Sequence, residues 1–111
     1  MAELCDVIEL TVDIPDKGLR AGLQGTIVHC HSDGAHEVEF VNEHGEMTEL
    51  LVLQPDQFIV VWKAKTKQWV SVAERIASLI ANLPEETLVE VFNFARYQAV
   101  RRQGGRAAGA S

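Results

Sequence analysis

Reactive and metal-binding residues are scarce in this 111-residue chain. It has two cysteines, Cys5 and Cys30, and neither a CxxC pair nor an HExxH motif. The familiar zinc-ribbon and metalloprotease patterns are therefore excluded. Two thiols in a chain without a secretory signal are expected to stay reduced. No apolar run approaches the roughly 18 residues that span a bilayer. The first residues lack the basic region and apolar stretch of a signal peptide. A cytoplasmic location is the expectation. Basic residues are also few, 10 Lys+Arg against 16 Asp+Glu, for a net charge of -6. Residues 1–70 carry a net -7 and residues 71–111 a net +1. An acidic front repels phosphate backbones, which disfavours nucleic acid as a partner.

What is present suits a small globular fold. Hydrophobic residues make up 47% and charged residues 23%, enough for a modest core. A unit of about 60 residues buries only roughly 60% of its unfolded surface and gains from a packed tail or a partner chain. Residues 6–12 alternate well enough for a strand, and residues 13–22 interrupt it with Pro15, Gly18 and Gly22. Residues 25–31 form a second run rich in β-branched side chains. Ser32-Asp33-Gly34 supplies a tight turn. His36 to Val41 alternates strictly, Asn42 to Gly45 turns, and Met47 to Leu53 forms a fourth run. Gln54-Pro55-Asp56-Gln57 breaks it before a fifth run at Phe58 to Trp62. Five short strands with hairpin turns predict a mainly β fold, a small closed five-stranded barrel over residues 1–62. Alternation predicts Val28, Cys30, Val38 and Phe40 inward, with His29, His31, Glu37 and Glu39 outward.

Residues 63–70 read as a basic connector, and residues 71–103 as a helical hairpin. Ser71-Val72-Ala73-Glu74 has the form of a capping box. Behind it, Val72, Ile76, Leu79, Ile80 and Leu83 recur at helical spacing. Pro84 stops this helix and suits the start of a second, with Glu85 and Glu86 in its first turn. Arg101 and Arg102 are expected near the second helix's C-terminus, and Gly104-Gly105 is expected to end it, leaving residues 104–111 as a flexible terminus. The second helix carries more large apolar residues than one face can hold. Leu88, Val91 and Phe92 are expected to pack on the first helix or the barrel. Val89, Phe94 and Tyr97 then call for another partner, a protein or a second copy.

The stretch from Asp6 to Val60 resembles the uncharacterised bacterial family called domain of unknown function 4926. The resemblance rests on Asp6-Val7-Ile8, the loop from Asp13 to Leu19, the segment from Gly22 to Val28, Asp33-Gly34-Ala35, Val38-Glu39-Phe40 and the closing Val52-Leu53 to Phe58 segment. It implies an SH3-like barrel of a kind also present in larger assemblies, such as nitrile hydratase β-type subunits, and it brings no catalytic residues. The stretch from Ile76 to Arg102 is similar to a second short family, domain of unknown function 2281. That similarity rests on Leu83-Pro84-Glu85-Glu86, the amphipathic run from Leu88 to Phe94, and Arg101-Arg102. It implies an antitoxin-type helical tail, although this chain has no evident DNA-binding domain.

No residue set reads as an active site. His29 and His31 share a strand face and can chelate a metal, but no closed four-ligand set accompanies them. They read as solvent-facing histidines, as do His36 and His44. Cys30 reads as a core thiol rather than a nucleophile. Gly22 and Gly25 lead into a strand, not a helix, so they do not cradle phosphate. Glu37 and Glu39 read as solvated surface. Trp62 and Trp69 flank the connector and read as a seal over it, or else as part of a peptide groove rimmed by Asp13, Asp16, Lys17 and Arg20. The chain is thus expected to be a non-catalytic protein-binding module, antitoxin-like or regulatory. No cofactor and no metal are implied. The contact residues are expected to be Leu88, Val89, Val91, Phe92, Phe94, Tyr97 and Arg101. The alternative is an accessory or adaptor subunit that docks through the barrel, and a third reading is a nucleic-acid regulator using the Arg96–Arg106 tail.

Overall fold

His36 to Val41 alternates in the structure as it does in the sequence. A computed structural model describes the backbone of residues 2–110 and the side chains of residues 2–104. In it, His36, Val38 and Phe40 are buried, and Glu37 and Glu39 face outward, half-buried. Around this strand the elements run β1 (Val7–Leu10), β2 (Gln24–Cys30), β3 (His36–Val41), β4 (Met47–Leu53), β5 (Phe58–Lys63), β6 (Gln68–Trp69), α1 (Val72–Ile80) and α2 (Glu85–Ala110). Single 3-10 turns sit at Pro15–Lys17 and Pro55–Gln57. The contacts divide the chain into two compact units, Met1–Leu79 and Ile80–Ser111.

The first unit is a six-stranded antiparallel sheet in the order β4-β3-β2-β1-β5-β6. It is not the closed five-stranded barrel expected from the pattern. The stretch read as a connector supplies the reason. It turns at residues 64–67, with Lys67 at a positive φ of 56°, and returns as β6 against β5. Trp62 pairs with Trp69 and Lys63 with Gln68, so β5's outer edge is taken locally. Strands β4 and β6 remain the two edges of an open sheet.

The core is formed by Ile8, Leu10, Leu19, Ile27, Val38, Phe40, Leu53 and Phe58, with Ala2, Ile14, Leu51 and Val60 packed against it. Each fully buried aliphatic or aromatic side chain contributes about 1.5–3 kcal/mol. Gly25 admits this packing because it has no side chain. A Cβ there would stand 2.6 Å from Val38 Cγ1 and 2.9 Å from Phe40 Cε1. The phase of β2 differs from the expected one. Gly25 and Ile27 point inward, and a bulge follows, with Ile27 opposite Val38 and His29 opposite Glu37. Val28 falls in the bulge and Cys30 at the strand's last position, so both are exposed rather than buried. One extra residue on a strand shifts every later side chain by one place.

The hairpin turns follow their sequence chemistry. Asp33 Oδ1 accepts the Ala35 N–H at 3.0 Å, and Gly34 takes φ 95°. Asn42 Oδ1 accepts the N–H groups of His44 and Glu46 at 2.9 and 3.0 Å. Asp6 plays a part that alternation did not suggest. It is 1% exposed, and its two carboxylate oxygens accept the N–H groups of Glu3 and Ala64, each at 2.9 Å. This single side chain ties the start of β1 to the β5–β6 turn.

Candidate interaction surface

Helix α1 begins as its capping residues predict, with the Glu74 N–H donating to Ser71 Oγ at 3.2 Å. Its apolar stripe is not covered: Val72, Ile76 and Leu79 are all exposed. From its first turn, the Arg75 Nε–H donates back to the Val70 carbonyl at 3.0 Å, and its guanidinium lies 5.9 Å from the Trp69 ring centroid. Trp62 is half-buried, whereas Trp69 remains 61% exposed. Of the two tryptophans, Trp69 therefore leaves most of its ring on the surface.

Helix α2 starts after Pro84, whose carbonyl accepts the Leu88 N–H at 2.9 Å. Gly104 continues the helix instead of closing it, since one interior glycine costs only about 1 kcal/mol relative to alanine. The flexible terminus expected over 104–111 otherwise lies outside the described side chains. Because α2 extends to Ala110, Arg101 and Arg102 do not stand in its last turn, where the dipole was expected to favour them.

The contact residues named from the sequence all fall on α2. Leu88 and Val91 are half-buried. Phe92 is exposed, contrary to the expectation that it would pack with them, and Val89, Phe94, Tyr97 and Arg101 are exposed as well. Exposure of the large apolar residues runs from 50% at Val89 to 64% at Phe94, with Val100 also in that range. At 100° per residue, Phe92, Arg96, Val89 and Val100 share one face, and Tyr97 and Phe94 continue around the helix from it. The Arg96 guanidinium covers the Phe92 ring at 5.1 Å and donates to Asn93 Oδ1 at 2.8 Å. Val100 was missed in the sequence because it lies between the apolar run and Arg101-Arg102 and reads as part of the basic end.

The sheet offers further features. On edge strand β4, Met47, Leu50 and Val52 are exposed. The run Leu50-Leu51-Val52-Leu53 carried the signal, since consecutive apolar residues in a strand occupy both faces. Asp13, Pro15, Gly18, Leu19 and Arg20 line a depression of about 310 Å³. Asp13 and Arg20 both line it, but Lys17 turns to Glu49 at 3.5 Å, and Asp16, Trp62 and Trp69 are not in the lining, so the depression is not the aromatic groove expected there.

The histidines separate into two environments. His29 and His31 stack edge to face at 4.6 Å, and His31 Nε2 meets Glu37 Oε1 at 3.1 Å. Among the described residues, no group of three or more His, Cys, Asp or Glu is placed to hold a metal ion. His36 is not solvent-facing as expected. It shares the inward phase of Val38 and Phe40, lies edge to face with Phe58 at 5.5 Å, and its buried Nδ1 has no hydrogen-bond partner.

Residues 4–60 match the family described as Domain of unknown function (DUF4926). The chain belongs to this family. The DUF4926 stretch covers most of the sheet and ends in β5, before β6 and the two helices. No curated protein and no solved structure matches the chain. Among the described residues, no helix is long and apolar enough to cross a membrane.

Proposed function

We propose that this chain is a non-catalytic protein-binding module, an antitoxin-like or regulatory protein that occludes a protein partner through α2. The observation that carries the reading is the set of large apolar side chains exposed around that helix, Val89, Phe92, Phe94, Tyr97 and Val100. Large exposed apolar patches mark interaction surfaces, because leaving them in water is unfavourable. The antitoxin-like form is suggested by the sequence resemblance of Ile76 to Arg102 to the domain of unknown function 2281 pattern. The sheet serves as scaffold. Its order, in which β5 returns beside β1 after the 3-10 turn at Pro55–Gln57, supports reading it as an opened relative of SH3-like barrels. The acidic sheet disfavours nucleic acid as the partner. We place the protein in the cytoplasm on the strength of its two unpaired cysteines.

The test is co-expression with the product of the adjacent gene, followed by purification through this chain. A stoichiometric complex is expected, and Phe92→Ala combined with Phe94→Ala should abolish it while the sheet stays folded. Failure to form a complex, or a complex unchanged by the double substitution, contradicts the reading.

A second reading has its own observation. The free edge of β4, with Met47, Leu50 and Val52 exposed, suits an accessory subunit that docks through its sheet. Retention of a complex after the α2 double substitution, with loss after Leu50→Lys and Val52→Lys, would favour it.

A further inference from the structure

The lysines of the sheet unit gather on one hairpin. Of the five Lys and Arg in residues 1–70, Lys63, Lys65 and Lys67 fall on the β5–β6 hairpin, although that stretch as a whole carries a net -7. Residues 57–73 contain no Asp or Glu. Lys65 and Lys67 are exposed, and among the described residues neither takes part in an ion pair. Beside them on β6, the outermost strand, Trp69 is 61% exposed. Arg75 stands over its ring, with the guanidinium 5.9 Å from the centroid and Nε–H held by the Val70 carbonyl at 3.0 Å. Among the described residues, no carboxylate lies within ion-pair distance of Arg75. Lysines on a sheet edge guard against edge-to-edge aggregation. That role needs charge alone, and it accounts neither for an indole left in water among the lysines nor for an arginine tethered over it.

We propose that the β5–β6 hairpin, together with Arg75, is a docking site for an acidic segment of a protein partner. The site lies in the sheet unit, within residues 1–79, and does not rest on the reading of α2. Charge complementarity names the occupant. Lys65 and Lys67 are mobile point charges for carboxylates, and the tethered guanidinium of Arg75 keeps its terminal nitrogens for a carboxylate in a fixed geometry. The exposed indole of Trp69 gives the segment's apolar side chains a surface to pack on. The net charge of the unit decides against a polyanion. A nucleic acid strand stacked on Trp69 continues past the hairpin onto a surface that repels its phosphates. A segment with a few carboxylates meets the hairpin alone.

Titration of the full chain with a capped peptide of four glutamates around one phenylalanine, followed by tryptophan emission, tests the site. Saturable binding is expected, with a Kd of about 1 mM or tighter at low salt and weaker at high salt. The same peptide with glutamine in place of glutamate should bind at least about tenfold more weakly. Lys65→Glu with Lys67→Glu, both at exposed positions, should keep native stability in chemical denaturation and weaken the acidic peptide at least about tenfold. Arg75→Lys keeps the charge but loses the fork, and should weaken it about threefold or more. Phe92→Ala with Phe94→Ala should leave this binding unchanged, so the hairpin site and the α2 reading fail separately. Absence of saturable binding, equal binding of the glutamine peptide, or undiminished binding by the folded lysine variant would each overturn the proposal. So would a thymidine oligonucleotide that binds the hairpin more tightly than the peptide, which makes single-stranded nucleic acid the occupant. Self-association of the native chain that the lysine variant abolishes in light scattering overturns it too, in favour of a second copy.

Discussion

Asp6 and Gly25 hold the sheet's geometry through opposite means, one by hydrogen bonding and one by having no side chain. The carboxylate of Asp6 is buried and accepts two backbone N–H groups from segments 61 residues apart, Glu3 and Ala64. Removing it leaves two part-buried donors without their acceptor, so Asp6→Ala should cost about 1–3 kcal/mol in chemical denaturation. Asp6→Asn keeps one acceptor oxygen and should cost about half as much. Equal stability of native and Asp6→Ala protein would mean that the two N–H groups find other partners. At Gly25 the contact is steric. A methyl group meets Val38 and Phe40 well inside van der Waals distance, and Gly25→Ala should cost about 1–3 kcal/mol by the same measurement.

At the scale of elements, β4 is the exposed edge most open to change. Leu50 and Val52 sit on its outer side, opposite Glu39 and Glu37 of β3. Leu50→Lys with Val52→Lys should leave stability within about 0.5 kcal/mol and lower the tendency to aggregate on heating, since charge on an edge strand blocks edge-to-edge pairing. A large loss of stability would mean that these side chains are buried by something in the native protein. The elements that were legible in the sequence share a simple cause. Strand β3 alternates without interruption, and the two helices are delimited by Ser71 and Pro84, whose chemistry is local. Strand β2 was legible as a strand but not in its phase, because its bulge depends on the pairing with β3. Strand β6 was hidden because Lys63 to Lys67 carries almost no apolar signal, and its pairing comes from the turn with Lys67 at positive φ. Asp6 was hidden because its partners are backbone groups, which sequence does not distinguish.

For the whole molecule, the sheet provides a core while the helices keep apolar surface outside. Val72, Ile76 and Leu79 of α1 and five large residues of α2 are exposed, an arrangement that contact with another chain would relieve. The excess of apolar residues on α2 was evident in the sequence. What sequence left open was which of them would be covered: Leu88 and Val91 in part, Phe92 not. The closed barrel was not fixed by strand count either, because closure depends on what occupies the outer edges of β4 and β5. The most direct test of the central claim is the binding of the co-expressed partner to native and Phe92→Ala/Phe94→Ala chains of equal sheet stability. Loss of binding in the double variant is the predicted result, and undiminished binding would contradict the account.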